Sequence, residues 1–210
     1  MVNDKKGYSI ALYAMMLALI FVAMMLDRLI SLALPVSMAL LTLTVTFSCC
    51  FWRNSWTNGV LACTFFGVAS MIKGFIFPEI IPVSINPLVS VLPRAIMGFA
   101  AFGTYRLMLK LTQKHKTYGR QVACITVAVL VGLVVNTLLY LSAVNLYKIF
   151  LKEEYNGVFA TIYLVLFTNI IPEYAVSLLL VPHIVLALRK ATHLGTEGKL
   201  TPARPDNDKE

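Results

Sequence analysis

Six apolar stretches, each about as long as a bilayer is thick, constrain this chain more than any other feature. They run over Tyr8–Leu34, Val36–Trp52, Ser55–Phe77, Pro87–Leu111, Gln121–Tyr147 and Val158–Leu188. A helix needs about 20 mainly apolar residues to cross the hydrocarbon, so each stretch predicts a membrane-spanning helix. Composition agrees with this. Of the 210 residues, 59% are hydrophobic and 13% charged, about half the charge of an ordinary soluble domain, and the mean hydropathy is +0.78. A single domain cannot bury that much apolar surface in water, so the main solvent is lipid. A disordered chain, a secreted disulfide scaffold and a soluble enzyme are excluded.

The net charge of +8 is distributed as a membrane topology requires, at the ends of apolar runs, and not as a nucleic-acid-binding patch. Lys5, Lys6, Arg53, Arg106, Lys110, Lys114, Lys116, Arg120, Arg189, Lys190, Lys199, Arg204 and Lys209 fall on the terminal side of a six-span chain. The opposite loops hold Lys148 and Lys152, offset by Glu79, Glu153 and Glu154. The positive-inside rule then predicts an all-α integral membrane protein of six transmembrane helices in one bundle, with both termini cytoplasmic. Residues 1–7 form a cytoplasmic N-terminus, 8–190 the membrane domain, and 191–210 a polar tail whose composition from Thr196 predicts disorder. The first span is too long for a signal peptide and lacks a cleavage site. The cysteines Cys49, Cys50, Cys63 and Cys124 lie in apolar runs without metal-ligand spacing, as small core residues with no disulfide framework.

Ionisable groups inside spans are costly and face the bundle interior or a water-filled pocket. Arg28 follows Asp27 near the end of the first span, where local pairing or snorkelling accounts for it. Lys73 lies within a turn of the end of the third span and can also snorkel; it remains a candidate ligand contact. Arg94 is placed deeper. Asn86-Pro87 reads as an N-cap followed by proline at the first helical position, which sets Arg94 roughly 12 Å below the mouth of its span. Arginine suits a fixed bidentate partner such as a carboxylate, supplied either by a ligand or by Glu173. Pro93, Pro172 and Pro182 free the carbonyls of Val89, Thr168 and Leu178, and such carbonyls tend to face protein or a cavity.

Asn169, Glu173 and Ser177 recur every four residues along one face of the sixth span, as Asn136 and Tyr140 do in the fifth, with Tyr147 further up. Arg94, Asn136 and Asn169 come to similar depths, on the order of 12–18 Å. That level suits an anionic or amide-bearing small ligand; interhelical hydrogen bonding by the asparagines is the alternative. Ala11, Ala14 and Ala18 put small side chains on one face of the first span, a spacing that lets another helix approach closely. His115 and His193 lie in basic segments, His183 stands alone, and no glycine-rich phosphate loop occurs. No catalytic, metal or cofactor site is therefore predicted, and the chain is not expected to hydrolyse ATP itself.

Four segments together carry a family resemblance: IALYAMMLALIFV at 10–22, NPLVSVLPRAIMG at 86–98, VNTLLYL at 135–141 and TNIIPEYAVSLLLVP at 168–182. They resemble the S components of energy-coupling factor (ECF) vitamin transporters, over about Ser9 to Leu188, and NPLVSVLPR is most similar to the pantothenate-specific branch. The resemblance implies a bacterial cell-membrane subunit that binds a vitamin from outside and docks on a membrane coupling protein (the T component) and two ABC ATPases. It implies a pocket in the outer half built from the outer loops and the fourth to sixth spans, for which the candidate substrate contacts are Asn86, Arg94, Asn136, Tyr140, Asn169, Glu173 and Lys73. It also implies a coupling-protein interface on the face of Ala14 and Ala18, with Ala11 beside them. Trp52-Arg53-Asn54-Ser55-Trp56 departs from the glycine- and proline-bearing turn usual in the family. Pantothenate offers a carboxylate, an amide and two hydroxyls, which a deep arginine with asparagines and a tyrosine can match. Pyridoxine and hydroxymethylpyrimidine remain alternative substrates; a stand-alone secondary transporter and a membrane hydrolase are the alternative classes. A self-contained carrier is expected to show internal repeats, which the sequence lacks, and a hydrolase lacks its nucleophile–base pair.

Overall fold

The computed structural model describes residues 2–33, 39–77, 85–112, 118–150 and 156–192. These form seven helices: α1 (Val2–Ala33), α2 (Leu40–Trp52), α3 (Trp56–Ile76), α4 (Pro87–Ser90), α5 (Leu92–Leu111), α6 (Tyr118–Phe150) and α7 (Asn156–Ala191). The loop acids and lysines at 79 and 152–154, the basic segment 113–117 and the tail from 193 lie outside the described residues.

Five segments are long and apolar enough to cross a membrane: Ile10–Ser31, Trp56–Ile76, Pro87–Leu111, Tyr118–Ala143 and Ile170–Ala191. The chain is thus a helical protein with the segments of a membrane protein. The predicted second span differs. Its described helix, Leu40–Trp52, has 13 residues, about 20 Å at helical rise, against a hydrocarbon core of about 30 Å.

This short helix is the centre of the bundle. Nine of its residues, Thr42, Leu43, Thr44, Thr46, Phe47, Ser48, Cys49, Cys50 and Phe51, are buried. It packs against α1, α3 and α7, while α5 packs on α3 and α6, and α6 on α7. Phe47, Phe51, Phe102, Met97, Ile20, Ile125, Leu133, Val181 and Val185 fill the core. All four cysteines are buried free thiols, as predicted for small core residues.

In lipid, close packing replaces the hydrophobic effect as the force between helices, and small residues permit it. Gly67 of α3 is the clearest case: a Cβ there would lie 2.8 Å from Val91 Cα and 3.0 Å from Ser90 O. The backbone of α3 therefore lies directly against the break between α4 and α5. Ser90 Oγ donates to Gly67 O at 3.2 Å across the same contact.

Packing contacts fix two ends of the bundle. The end of α1, the start of α2, α4 with the start of α5, Tyr140 of α6 and the Glu173 region of α7 meet at one end, the α4 end. The end of α2, Tyr105 of α5 and Arg189 of α7 meet at the other, the Arg189 end.

Candidate functional site

Asn86 is the N-cap that the Asn-Pro sequence predicts. Its Oδ1 accepts from the Leu88 amide at 3.0 Å, with Pro87 at the first helical position. The helix lasts only four residues, because Pro93 cannot donate to the carbonyl of Val89. The chain passes through Val91 and restarts at Leu92. Arg94 resolves the break with its side chain: Nη1 donates to Ser90 O at 2.7 Å and reaches Val89 O at 3.4 Å and Ser90 Oγ at 3.3 Å. The carbonyl freed by the proline is thus within reach of a cation one residue further along the chain.

The guanidinium lies 4.9 Å from the centre of the Phe66 ring and 5.5 Å from that of Tyr140, within cation–π range. Arg94 and Tyr140 are therefore neighbours across α5 and α6, one turn from Asn136, the residue that helical rise places at the depth of Arg94. Asn136, one turn from Tyr140, is half-buried, and its Oδ1 has no hydrogen-bond partner among the described residues. Beside it, Thr137 hydroxyl and Tyr174 hydroxyl are 2.9 Å apart, joining α6 to α7. Lys73 is half-buried near the end of α3. The side chains of Asn169 and Tyr147 lie outside the described residues.

Glu173 does not join this group. Its Oε1 accepts from the Ala39 amide at 2.8 Å, at the start of α2, which ends the alternative of an Arg94–Glu173 ion pair. The physical reason lies in α2. That helix begins at Ala39, which offers no capping side chain, and has no acid in its first turn. Its first amides would stand unsatisfied at low dielectric. Asp27 completes the cap: Oδ1 accepts from Leu41 N at 3.1 Å, and Oδ2 from Thr42 N at 2.8 Å and Thr42 Oγ1 at 2.5 Å. Asp27 therefore does not serve its neighbour Arg28, whose guanidinium instead lies 5.4 Å from the Phe77 ring centre. Ser177, the third member of the Glu173 stripe, is wholly buried.

Arg189 completes the other end of α2. Nη2 donates to Phe51 O, Nε to Trp52 O at 3.2 Å, and Nη1 to the Tyr105 hydroxyl at 2.7 Å. Two carboxylates at the N-terminus and a guanidinium at the C-terminus oppose the macrodipole of α2 at both poles. Sequence reasoning counted Arg189 only as a topogenic charge and missed Asp27. The signal available was that α2 lacks caps of its own at either end. Phe66 and Ser90 were also missed, although Ser90 stands one turn before Arg94.

Ala11, Ala14 and Ala18 are exposed along α1, so that face is open in the isolated chain.

Comparison with protein-family models, curated proteins and solved structures finds no match.

Proposed function

We propose that this chain is a membrane-embedded binding subunit that captures a small anionic solute at the α4 end of its bundle, in the manner of an ECF S component. The observation that carries this is the Arg94 guanidinium seated over Tyr140, one turn from Asn136, whose buried Oδ1 has no hydrogen-bond partner among the described residues. A cation, a phenol and an amide on adjoining helices suit a ligand with one carboxylate plus amide or hydroxyl groups. Pantothenate is the leading candidate, with pyridoxine or hydroxymethylpyrimidine as alternatives. Lys73 would complete the site; Asn86 and Glu173 act through the helix starts they cap.

α2, second in chain order, brings the number of spans to six and lies at their centre. Both termini face the cytoplasm of a bacterial cell, and the α4 end faces outward. Transport would be driven by partner ATPases through a membrane coupling protein docked on the exposed Ala11–Ala14–Ala18 face. The lack of a nucleophile–base pair in the sequence favours this over a membrane hydrolase. Native mass spectrometry of the protein purified in mild detergent tests it. A co-purifying carboxylate-bearing small molecule, displaced by excess pantothenate, is expected. A lipid-only spectrum, unchanged when the protein is incubated with each of the three vitamins, would overturn it.

A further inference from the structure

At the Arg189 end, α5 presents one continuous stripe of Phe99, Gly103, Arg106 and Lys110. These positions lie within about 60° of one another at 100° per residue. Phe99 is 56% exposed and Lys110 is exposed. Trp56 at the start of α3, itself 44% exposed, flanks the stripe. Its ring is 6.3 Å from Phe99 and 5.1 Å from Phe102, and its Cη2 is the nearest atom, at 3.4 Å, to a Cβ placed on Gly103. The Arg106 guanidinium lies 5.9 Å from the Phe102 ring centre. The result is a helix face on which the Trp56 ring lies over Gly103 beside the exposed Phe99, leading along the helix to two cations.

Phe99 and Arg106 are separated by about 10 Å of helical rise, and Phe99 and Lys110 by about 16 Å. Neither cation has an acidic partner among the described residues. We propose that this face binds an anionic phospholipid, with a phosphate at Arg106 and Lys110 and an acyl chain along Phe99 and Trp56. Charge complementarity selects this occupant: a partner helix would leave two cations to be desolvated, whereas the headgroup layer of an anionic leaflet supplies phosphate at that level. Tryptophan at the junction of apolar and charged surface matches the interfacial position of that residue in membranes. The inference rests on the membrane placement and sidedness proposed above, but not on the solute site.

The test compares protein in nanodiscs of phosphatidylcholine alone with nanodiscs containing phosphatidylglycerol, counting retained lipids by native mass spectrometry after extraction. Wild type is expected to retain phosphatidylglycerol over phosphatidylcholine by about 30-fold, the effect of two cations at an anionic surface. Arg106→Gln with Lys110→Gln is expected to lose that preference. Arg120→Gln with Lys190→Gln, which removes the same charge elsewhere, keeps it. Equal retention of the two lipids by wild type overturns the proposal, as does an undiminished preference in the Arg106/Lys110 variant; a protein partner on this face would give the first of these. Arg94→Gln keeps the lipid preference even though it removes recognition of the solute's carboxylate, so the two proposals fail separately.

Discussion

Replacing Asp27 with alanine should destabilise the fold more than any other single acidic substitution. Asp27 is 6% exposed and accepts from two backbone amides and one hydroxyl at the start of α2. The hydroxyl of Thr42 can rotate to another acceptor, but the amides of Leu41 and Thr42 cannot. A buried donor left without a partner costs about 1–3 kcal/mol, so the two together cost about 2–6 kcal/mol. For a chain of this size each kcal/mol corresponds to about 2–4 °C in Tm, which gives a fall of roughly 4–24 °C. Asp27→Asn keeps one carbonyl acceptor and should lose about half as much. Thermal unfolding in a fixed detergent, followed by circular dichroism, measures both. An Asp27→Ala midpoint within about 2 °C of wild type would show that α2 does not depend on a borrowed cap.

At the opposite pole, Arg189→Ala removes donors to Phe51 O, Trp52 O and the Tyr105 hydroxyl. It should lower Tm by a similar amount, and Arg189→Lys should recover only part, since one ammonium cannot span the three acceptors. Gly67→Ala should cost about 1–3 kcal/mol by overpacking, because its Cβ meets the backbone of Val91 at 2.8 Å; the same change should weaken solute binding by displacing Arg94, read by titration of the folded variant. Ala14→Trp or Ala18→Trp should block co-purification with the proposed coupling protein and leave solute binding intact. Survival of that complex in both variants would remove this face from the interface.

Much of the helical layout follows from local chemistry. Apolar runs place α1, α3, α5, α6 and α7, and Asn86-Pro87 and Pro93 mark a helix start and its break before any packing is known. Depth along a span is legible to about one turn: helical rise sets Asn136 level with Arg94, and the residue that meets the guanidinium is Tyr140, one turn further along α6. Rotation about the helix axis is not legible. Arg94 and Glu173 were compatible as a pair by charge and depth, yet α7 packs on α2 and α6 while α5 packs on α3 and α6, and Glu173 is drawn to the uncapped start of α2. The partners of α2 come from residues 134 to 138 positions away in the cases of Glu173 and Arg189. No periodicity within a span encodes such a partner; only the absence of local caps hints that one must exist.

The role of Arg94 is tested most directly by calorimetric titration of the nanodisc-embedded protein with pantothenate and with panthenol, its neutral alcohol analogue. A guanidinium that recognises a carboxylate should favour pantothenate by about 10- to 150-fold, the range of a charge-assisted hydrogen bond, and Arg94→Gln should erase that ratio while remaining folded. Equal affinity of wild type for both compounds, no binding of either, or a preference that persists in Arg94→Gln would contradict it.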